Sequence, residues 1–342
     1  MAVTAGYDVG GAHLKVALAE AGRTIAVRQI PCPLWQGLDR LDAAFAEAAP
    51  LTARAERFAA TMTGEMCELF PDPRIGVQTL VDRLTTFLGP ETRIWMGTRG
   101  FGTAQQAHDD PDFVASTNFL ATATLVAKRL GYGLLIDMGS TTTDIIPVSA
   151  NRPCPRGLTD GARLATGELV YTGLTRSDVA TIARYTTFKG RTQRLAAGNF
   201  ASMADVRRIL GELPHDTDNH DTADHRGKSF DESVARFARS LGHDSAETTL
   251  DDWRVAARDI ADQQMRVIYD ACSQVLAATP LPHAATVIAA GIGAPLIDTL
   301  AGNLTRPCCS FGSLADTTDD CRLWATRCAP AVAVALLAAA ND

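Results

Sequence analysis

The first thirty positions fall into short, strand-length runs. Residues 3–8 read as a strand, Gly10-Gly11 as a turn and residues 14–20 as the return strand, so the chain opens on a β-hairpin. Residues 24–30 read as a third strand. The period then changes, and Leu38, Leu41, Phe45 and Ala48 share one helical face. A strand over 57–63, a helix over 75–88 and a strand over 93–96 follow. A helix over 117–130 closes at Gly131. At Leu134 the opening pattern returns: an apolar strand over 134–137 ends in an aspartate, 138–142 is a Gly/Ser/Thr turn, and 143–148 is a strand again. Residues 151–250 are less regular, with a short helix at 203–210 and a polar stretch at 215–228. A long helix over 250–278, a strand over 286–290, a glycine turn, a helix over 294–304 and an apolar helix over 331–339 complete the chain. The pattern predicts an α/β protein that uses one architecture twice. The expected lobes are 1–130 and 131–342, the second carrying an insertion at about 151–250.

Composition narrows the class. With 46% hydrophobic and 21% charged residues, the chain of 342 is neither disordered, nor a coiled coil, nor a collagen-like rod. Its longest apolar run, 329–340, is too short to span a bilayer. The first residues lack the basic and apolar regions of a signal peptide, so a cytoplasmic protein without a membrane partner is expected. A net charge of −7 with no basic block argues against a nucleic-acid partner. The eight cysteines form no Cys-x-x-Cys pair and are expected to be free thiols. The oligomeric state is left open, a homodimer included.

Three glycine turns carry the candidate chemistry. In the first, Asp8 ends a strand, Gly10 and Gly11 turn the chain, Ala12 and His13 follow, and Lys15 sits on the return strand. Glycine lets backbone amides approach a phosphate, Asp8 can face a metal held by it, and Lys15 adds positive charge. In the second, Asp137 precedes Gly139, Ser140, Thr141, Thr142 and Thr143, and Asp144 closes the turn. Hydroxyls and amides there are phosphate donors, and Asp137 and Asp144 suit Mg²⁺ held through water. The third, Gly291-Ile292-Gly293, joins a buried strand to a helix and suits an adenine face or a phosphate. Taken singly, the first and third are also ordinary turns. His215, His220 and His225 recur at five-residue spacing among aspartates, but no pair has the spacing of a helical zinc site. That stretch reads as a solvated loop, or as a lid with Asp224 and Arg226 facing inward.

The conjunction of the three turns resembles the actin/hexokinase/Hsp70 ATPase superfamily, and residues 136–146 resemble the hydantoinase/oxoprolinase A family within it. Thr63-Gly64-Glu65, Ser116-Thr117-Asn118, the block from Gly167 to Gly173, the block from Phe200 to Val206, and Thr222-Ala223-Asp224 occur in that order. This series is similar to the short branch of tetrahydromethanopterin-linked one-carbon transfer pathway proteins, which includes the archaeal synthase that builds the aryl ether of methanofuran. Two positions depart from that pattern: His13 stands where a small polar residue is common, and His225 where glycine is.

The resemblance implies two ribonuclease-H-like lobes with a cleft between them. It implies a Mg²⁺-dependent transferase that joins an aminomethylfuran-methyl diphosphate to a tyramine- or tyrosine-type phenol and releases diphosphate. Asp8, Lys15, Glu65, Asp137 and Glu168 are then the expected catalytic residues, with Glu65 or Glu168 as the base. Gly10, Gly11, Ala12, His13, Gly139, Ser140, Thr141 and Thr142 would bind phosphate, and Asp8, Asp137 and Asp144 the metal. Thr63, Asn118, Arg163, Tyr171, Asp224, Arg226, Gly291 and Gly293 would contact substrate or nucleotide, ATP or diphosphate occupying the cleft. The alternatives are an ATP-dependent small-molecule kinase or cyclic-amide hydrolase, and a nucleotide-binding structural protein.

Overall fold

The computed structural model describes residues 2–214 and 216–340, so His215 of the polar stretch lies outside the described residues. The first sheet contains β1 (Thr4–Val9), β2 (His13–Glu20), β3 (Arg23–Pro31), β4 (Arg57–Met62), β5 (Arg93–Trp95) and β6 (Phe101–Gly102). Their order is β3-β2-β1-β4-β5-β6. The second sheet contains β7 (Gly133–Met138), β8 (Thr143–Ser149), β9 (Arg152–Pro153) and β10 (Leu169–Val170). A separate hairpin, β11 (Tyr185–Phe188) with β12 (Arg191–Arg194), intervenes before β13 (Thr286–Ala290) and β14 (Cys308–Ser310) return to that sheet. Its order is β10-β8-β7-β13-β14, with β9 on β8.

The two sheets repeat one plan. β1 pairs antiparallel with β2 and parallel with β4, while β7 pairs antiparallel with β8 and parallel with β13. Each parallel step needs a crossover, and helices Leu38–Thr52 and Pro73–Leu88 supply those of the first sheet. The expected pair of ribonuclease-H-like lobes is therefore present, and β1, β7 and β13 are buried throughout or nearly so, as central strands covered on both faces should be.

The helices that close the two halves sit across from their own sheets. The apolar helix Ala329–Ala339 packs on β1, β2 and β4 of the first sheet. Helix Asn118–Leu130 packs on β7, β8 and β9 of the second, and the two helices pack on each other. One continuous core results, running from Ala17 and Ala59 through Val332 and Leu336 to Ile146 and Ile288. Gly6 makes the closest approach possible, because a Cβ there would lie 2.3 Å from the carbonyl oxygen of Ala331 and 2.7 Å from the Cβ of Ala335.

Residues 171–285, between β10 and β13, combine helices with the β11–β12 hairpin and long connections, and have their own core around Phe237, Trp253 and Ile260. The irregular reading of this region misses helix Phe230–Ser240, whose Ser229 and Glu232 form a reciprocal capping box. All eight cysteines are free. Among the described residues no single helix is long and apolar enough to cross a membrane.

Replacing Gly6 by alanine should cost about 1–3 kcal/mol through overpacking against backbone atoms that cannot yield. Gly302 lies in helix Ala294–Asn303, where an added Cβ meets nothing within 4 Å. Gly302→Ala should leave stability unchanged or raise it by up to about 1 kcal/mol. Urea unfolding of the two variants, with equal m-values, checks both.

Candidate active site

The two opening hairpins turn in the same way. Gly10 N–H donates to the His13 carbonyl at 3.0 Å, and Gly139 N–H donates to the Thr142 carbonyl at 2.9 Å. The flanking registers match as well: Asp8 faces Lys15 across β1 and β2, and Asp137 faces Asp144 across β7 and β8. Both turns line one cleft of about 360 Å³. Gly10, Gly11, Ala12 and His13 form one wall, and Gly139, Ser140, Thr141 and Thr142 form another. Thr63, Asn118, Arg163, Tyr171, Lys15, Asp137 and Asp144 also line it.

Charge on the cleft floor is paired unevenly. Lys15 Nζ donates to Asp8 Oδ2 at 3.0 Å, and Asp8 Oδ1 is buried without a partner. Burial opposes the Lys15 charge, yet Asp8, Cys328 and Asp137 outweigh it and hold its pKa above the usual lysine value. Asp144 is taken by the guanidinium of Arg163, which also donates to the Glu168 carbonyl at 3.2 Å and lies 3.7 Å over the ring of Phe119. Asp137 has no donor among the described residues. Burial first, then Asp144, push its carboxyl up to about 7, against the pull of Lys15.

The start of the insertion is moulded onto the second loop. Leu174 N–H donates to the Gly139 carbonyl at 2.9 Å, and Arg176 N–H to the Ser140 carbonyl at 2.9 Å. A Cβ on Gly173 would lie 2.5 Å from Ser140 C and Thr141 N, so only glycine permits this approach. The segment is held from behind by buried Gln264, which donates to Thr172 Oγ1 at 2.8 Å and the Gly173 carbonyl at 2.7 Å. Arg207 donates in turn to Gln264 at 2.7 Å. This fixes Arg176 in the cleft wall, its guanidinium 5.4 Å from the ring centre of Trp35 in the first lobe. Sequence reasoning does not find Arg176 or Trp35. Trp35, Met66 and Tyr171 all line the cleft and are exposed, Tyr171 at 67%.

Several expected site residues lie elsewhere, Asp8 among them, buried beneath the cleft rather than lining it. Glu65 does not line the cleft; its Oε1 accepts the Ser116 amide at 2.7 Å, which sets the start of helix Asn118–Leu130 beside the cleft. Burial raises its carboxyl to about 7. Glu168 is also off the cleft, accepting the amides of Arg156 at 2.6 Å and Gly157 at 2.9 Å. Gly291 and Gly293 are packed against β7: added Cβ atoms would lie 2.2 Å from the Met138 carbonyl oxygen and 2.5 Å from the Met138 side chain. Asp224 binds Arg236 at 3.2 Å and Arg239 at 3.0 Å inside the insertion, and Arg226 is exposed beside it. His225 adopts φ +54°, the left-handed backbone that glycine would take there.

Glu65 offers a test of its buried state. Its folded pKa of about 7 lies above the ordinary glutamate value, so the folded protein binds the extra proton between about pH 4.5 and 7. Wild-type stability should therefore fall as pH rises through that window. Glu65→Gln keeps the acceptor for Ser116 and removes the charge. Its advantage over wild type should grow across the window to about 1–2 kcal/mol and level off above pH 7. Urea midpoints of both proteins at pH 4.5 and 8 give the comparison.

The model of the hydantoinase/oxoprolinase family matches residues 88–308. The chain is 30% identical over 248 residues to (4-{4-[2-(gamma-L-glutamylamino)ethyl]phenoxymethyl}furan-2-yl)methanamine synthase from Methanocaldococcus jannaschii, covering 72% of this chain and 73% of that one. It is 28% identical over 137 residues to the protein of the same name from Methanococcus vannielii, covering 40% of this chain and 60% of that one. Component A of Acidaminococcus fermentans (R)-2-hydroxyglutaryl-CoA dehydratase is similar over the whole of both chains, at 11% identity and a TM-score of 0.49, a likeness that bears on no chemistry. By the family match and the extent of the first relative, the chain belongs to the hydantoinase/oxoprolinase family.

Proposed function

We propose that this chain is a diphosphate-releasing transferase of methanofuran-type cofactor biosynthesis. It joins the furan-methyl carbon of an aminomethylfuran-methyl diphosphate to the phenol oxygen of a tyramine- or tyrosine-type acceptor. The relationship to the M. jannaschii synthase supports the reaction class. The observation that carries the reading is the cleft itself: two matching glycine turns line it, Lys15 and Arg176 stand in its walls, and Trp35, Met66 and Tyr171 lie toward solvent. Such a site suits an anionic group among the turns and flat apolar rings at its mouth.

In this reading the carbon–oxygen bond of the furan-methyl diphosphate breaks and its electron pair leaves with the diphosphate. The furan ring oxygen stabilises the cationic carbon, and the phenol oxygen supplies the new bond. Amides of both turns and the hydroxyls of Ser140, Thr141 and Thr142 bind the developing charge on the leaving group. Lys15 is kept charged by Asp8 and adds to that field. The phenol proton goes to Asp137, because it lines the cleft with its oxygens free of donors, whereas Glu65 and Glu168 lie off the cleft and accept backbone amides there.

Mg²⁺ fits as a hydrated ion rather than a directly ligated one. Among the described residues no three His, Cys, Asp or Glu side chains converge to hold a metal. Asp144 faces Asp137 in the cleft, whereas Asp8 lies buried behind the lining with one oxygen unpaired. Asp144 would accept hydrogen bonds from aqua ligands, and Asp8 would add its charge from behind Lys15. The ion, when bound, would neutralise part of the diphosphate charge.

Purified protein given Mg²⁺, the synthetic furan diphosphate and tyramine or γ-glutamyl-tyramine should form the aryl ether and equimolar diphosphate without ATP. Lys15→Met and Asp137→Asn should each lower kcat about 10²–10³-fold. Substrate-stimulated ATP hydrolysis with no ether formed would instead establish an ATP-driven enzyme.

A further inference from the structure

The imidazoles of His13, in the first turn, and His220, in the insertion, are given no role in the arrangement above. His13 lines the cleft and is only 9% exposed, and its Nε2 is buried without a hydrogen-bond partner. His220 reaches it from the insertion, with ring centres 5.5 Å apart and the planes near perpendicular. Its Nε2 is likewise buried and unpaired. The loop that delivers His220 is anchored: Asp218 pairs with Arg208 and Lys228, and Asp224 with Arg236 and Arg239. Arg176 faces both imidazoles and has no carboxylate partner among the described residues. A guanidinium without a carboxylate, beside two imidazoles whose Nε2 atoms are idle and become donors on protonation, is a site built for an acceptor.

We propose that Arg176 and His13 grip the outer phosphate of the diphosphate, and that His220 is a positioning residue that holds His13 toward it from the insertion. This rests on the diphosphate reading of the cleft and deepens it, since two of the three residues come from outside the paired turns. Charge around the pair accounts for its state without ligand. His13 faces His220, Lys15 and Arg176, with no acid opposite, and burial with these neighbours lowers it to about 3. His220 faces Arg176 and Lys228 against Asp218 and Asp221, and is lowered to about 4, burial again leading. Both rings are thus neutral at pH 7. A multiply charged anion arriving at Arg176 reverses that balance and favours an imidazolium, which presents N–H donors at both nitrogens. Diphosphate binding should therefore draw a proton from solvent onto the pair.

The test uses the full chain labelled with ¹⁵N-histidine, which carries seven histidines. Mg-diphosphate is titrated in at pH 6.5, and calorimetry is run in two buffers of different ionisation enthalpy. The expected result is movement of the His13 and His220 signals toward the imidazolium pattern, with uptake of about one proton beyond that of the diphosphate itself. Arg176→Gln and His220→Phe should each weaken diphosphate binding about 10-fold or more, and His220→Phe should also abolish the uptake. His220→Gln, close in size, replaces the phenylalanine variant if that one does not fold. Wild-type binding with no histidine signal moving and no loss in the variants overturns the seat and leaves the transferase reading intact. Failure of wild type to bind Mg-diphosphate at all overturns that reading and the seat with it.

Discussion

The cleft floor is governed by the cost of burying two aspartates at equivalent places in twin hairpins. Asp8 has Lys15 directly opposite, and the pair closes at 3.0 Å. Asp137 has Asp144 opposite, so the second hairpin begins with like charges face to face. Such a pair is relieved when a cation takes one member or a proton takes the other. Arg163 takes Asp144, and it is in place because Phe119 supports its guanidinium and the Glu168 carbonyl receives it. The helix start at Asn118, the helix that carries Arg163 and strand β10 are thus tied to one electrostatic problem. Asp137 is what remains, a carboxyl pushed up to about 7 and facing open space. A hydrated cation beside a diphosphate would relieve that strain, which gives a physical reason for metal and anion to enter together.

The insertion does more than decorate the second lobe. Arg207, Gln264 and Thr172 form a buried chain of hydrogen bonds from its core to the segment lying on the second turn. Neutral amides and hydroxyls in that chain are fully committed, so shifting the long helix Leu250–Ala278 would move Gly173 and with it Arg176. Through His220 the same insertion also touches the first turn. The insertion therefore touches both walls of the cleft.

Much of this was legible in the chain because it is local. A strand, an Asp-x-Gly turn and a return strand are neighbours in sequence, so both hairpins and their lining residues could be placed from turn chemistry alone. The helix with Leu38, Leu41 and Phe45 and the long helix Leu250–Ala278 were legible from periodicity. What depends on distant partners was not. Glu65 and Glu168 look like catalytic acids until the amides of Ser116, Arg156 and Gly157 are seen to claim them. Arg176 looks like any surface arginine until Ser140 and Trp35 flank it. The blocks from Gly167 to Gly173 and Phe200 to Val206 owe their character to packing: Gly173 lies on the second turn, and Asp205 pairs with the buried Arg236 at 2.7 Å.

The third glycine turn shows why a motif needs its surroundings. Gly291 and Gly293 suit a flat ligand by composition, yet their missing Cβ atoms are what let β13 close on Met138 and Asp137. Their task is to seat the aspartate from below. Flat apolar surface is found instead at Trp35, Met66 and Tyr171, on the solvent side of the turns. A ligand spanning both regions would place its anionic end among Lys15, Arg176 and the turn amides and its rings against those side chains. A furan-methyl diphosphate has that polarity within one short molecule.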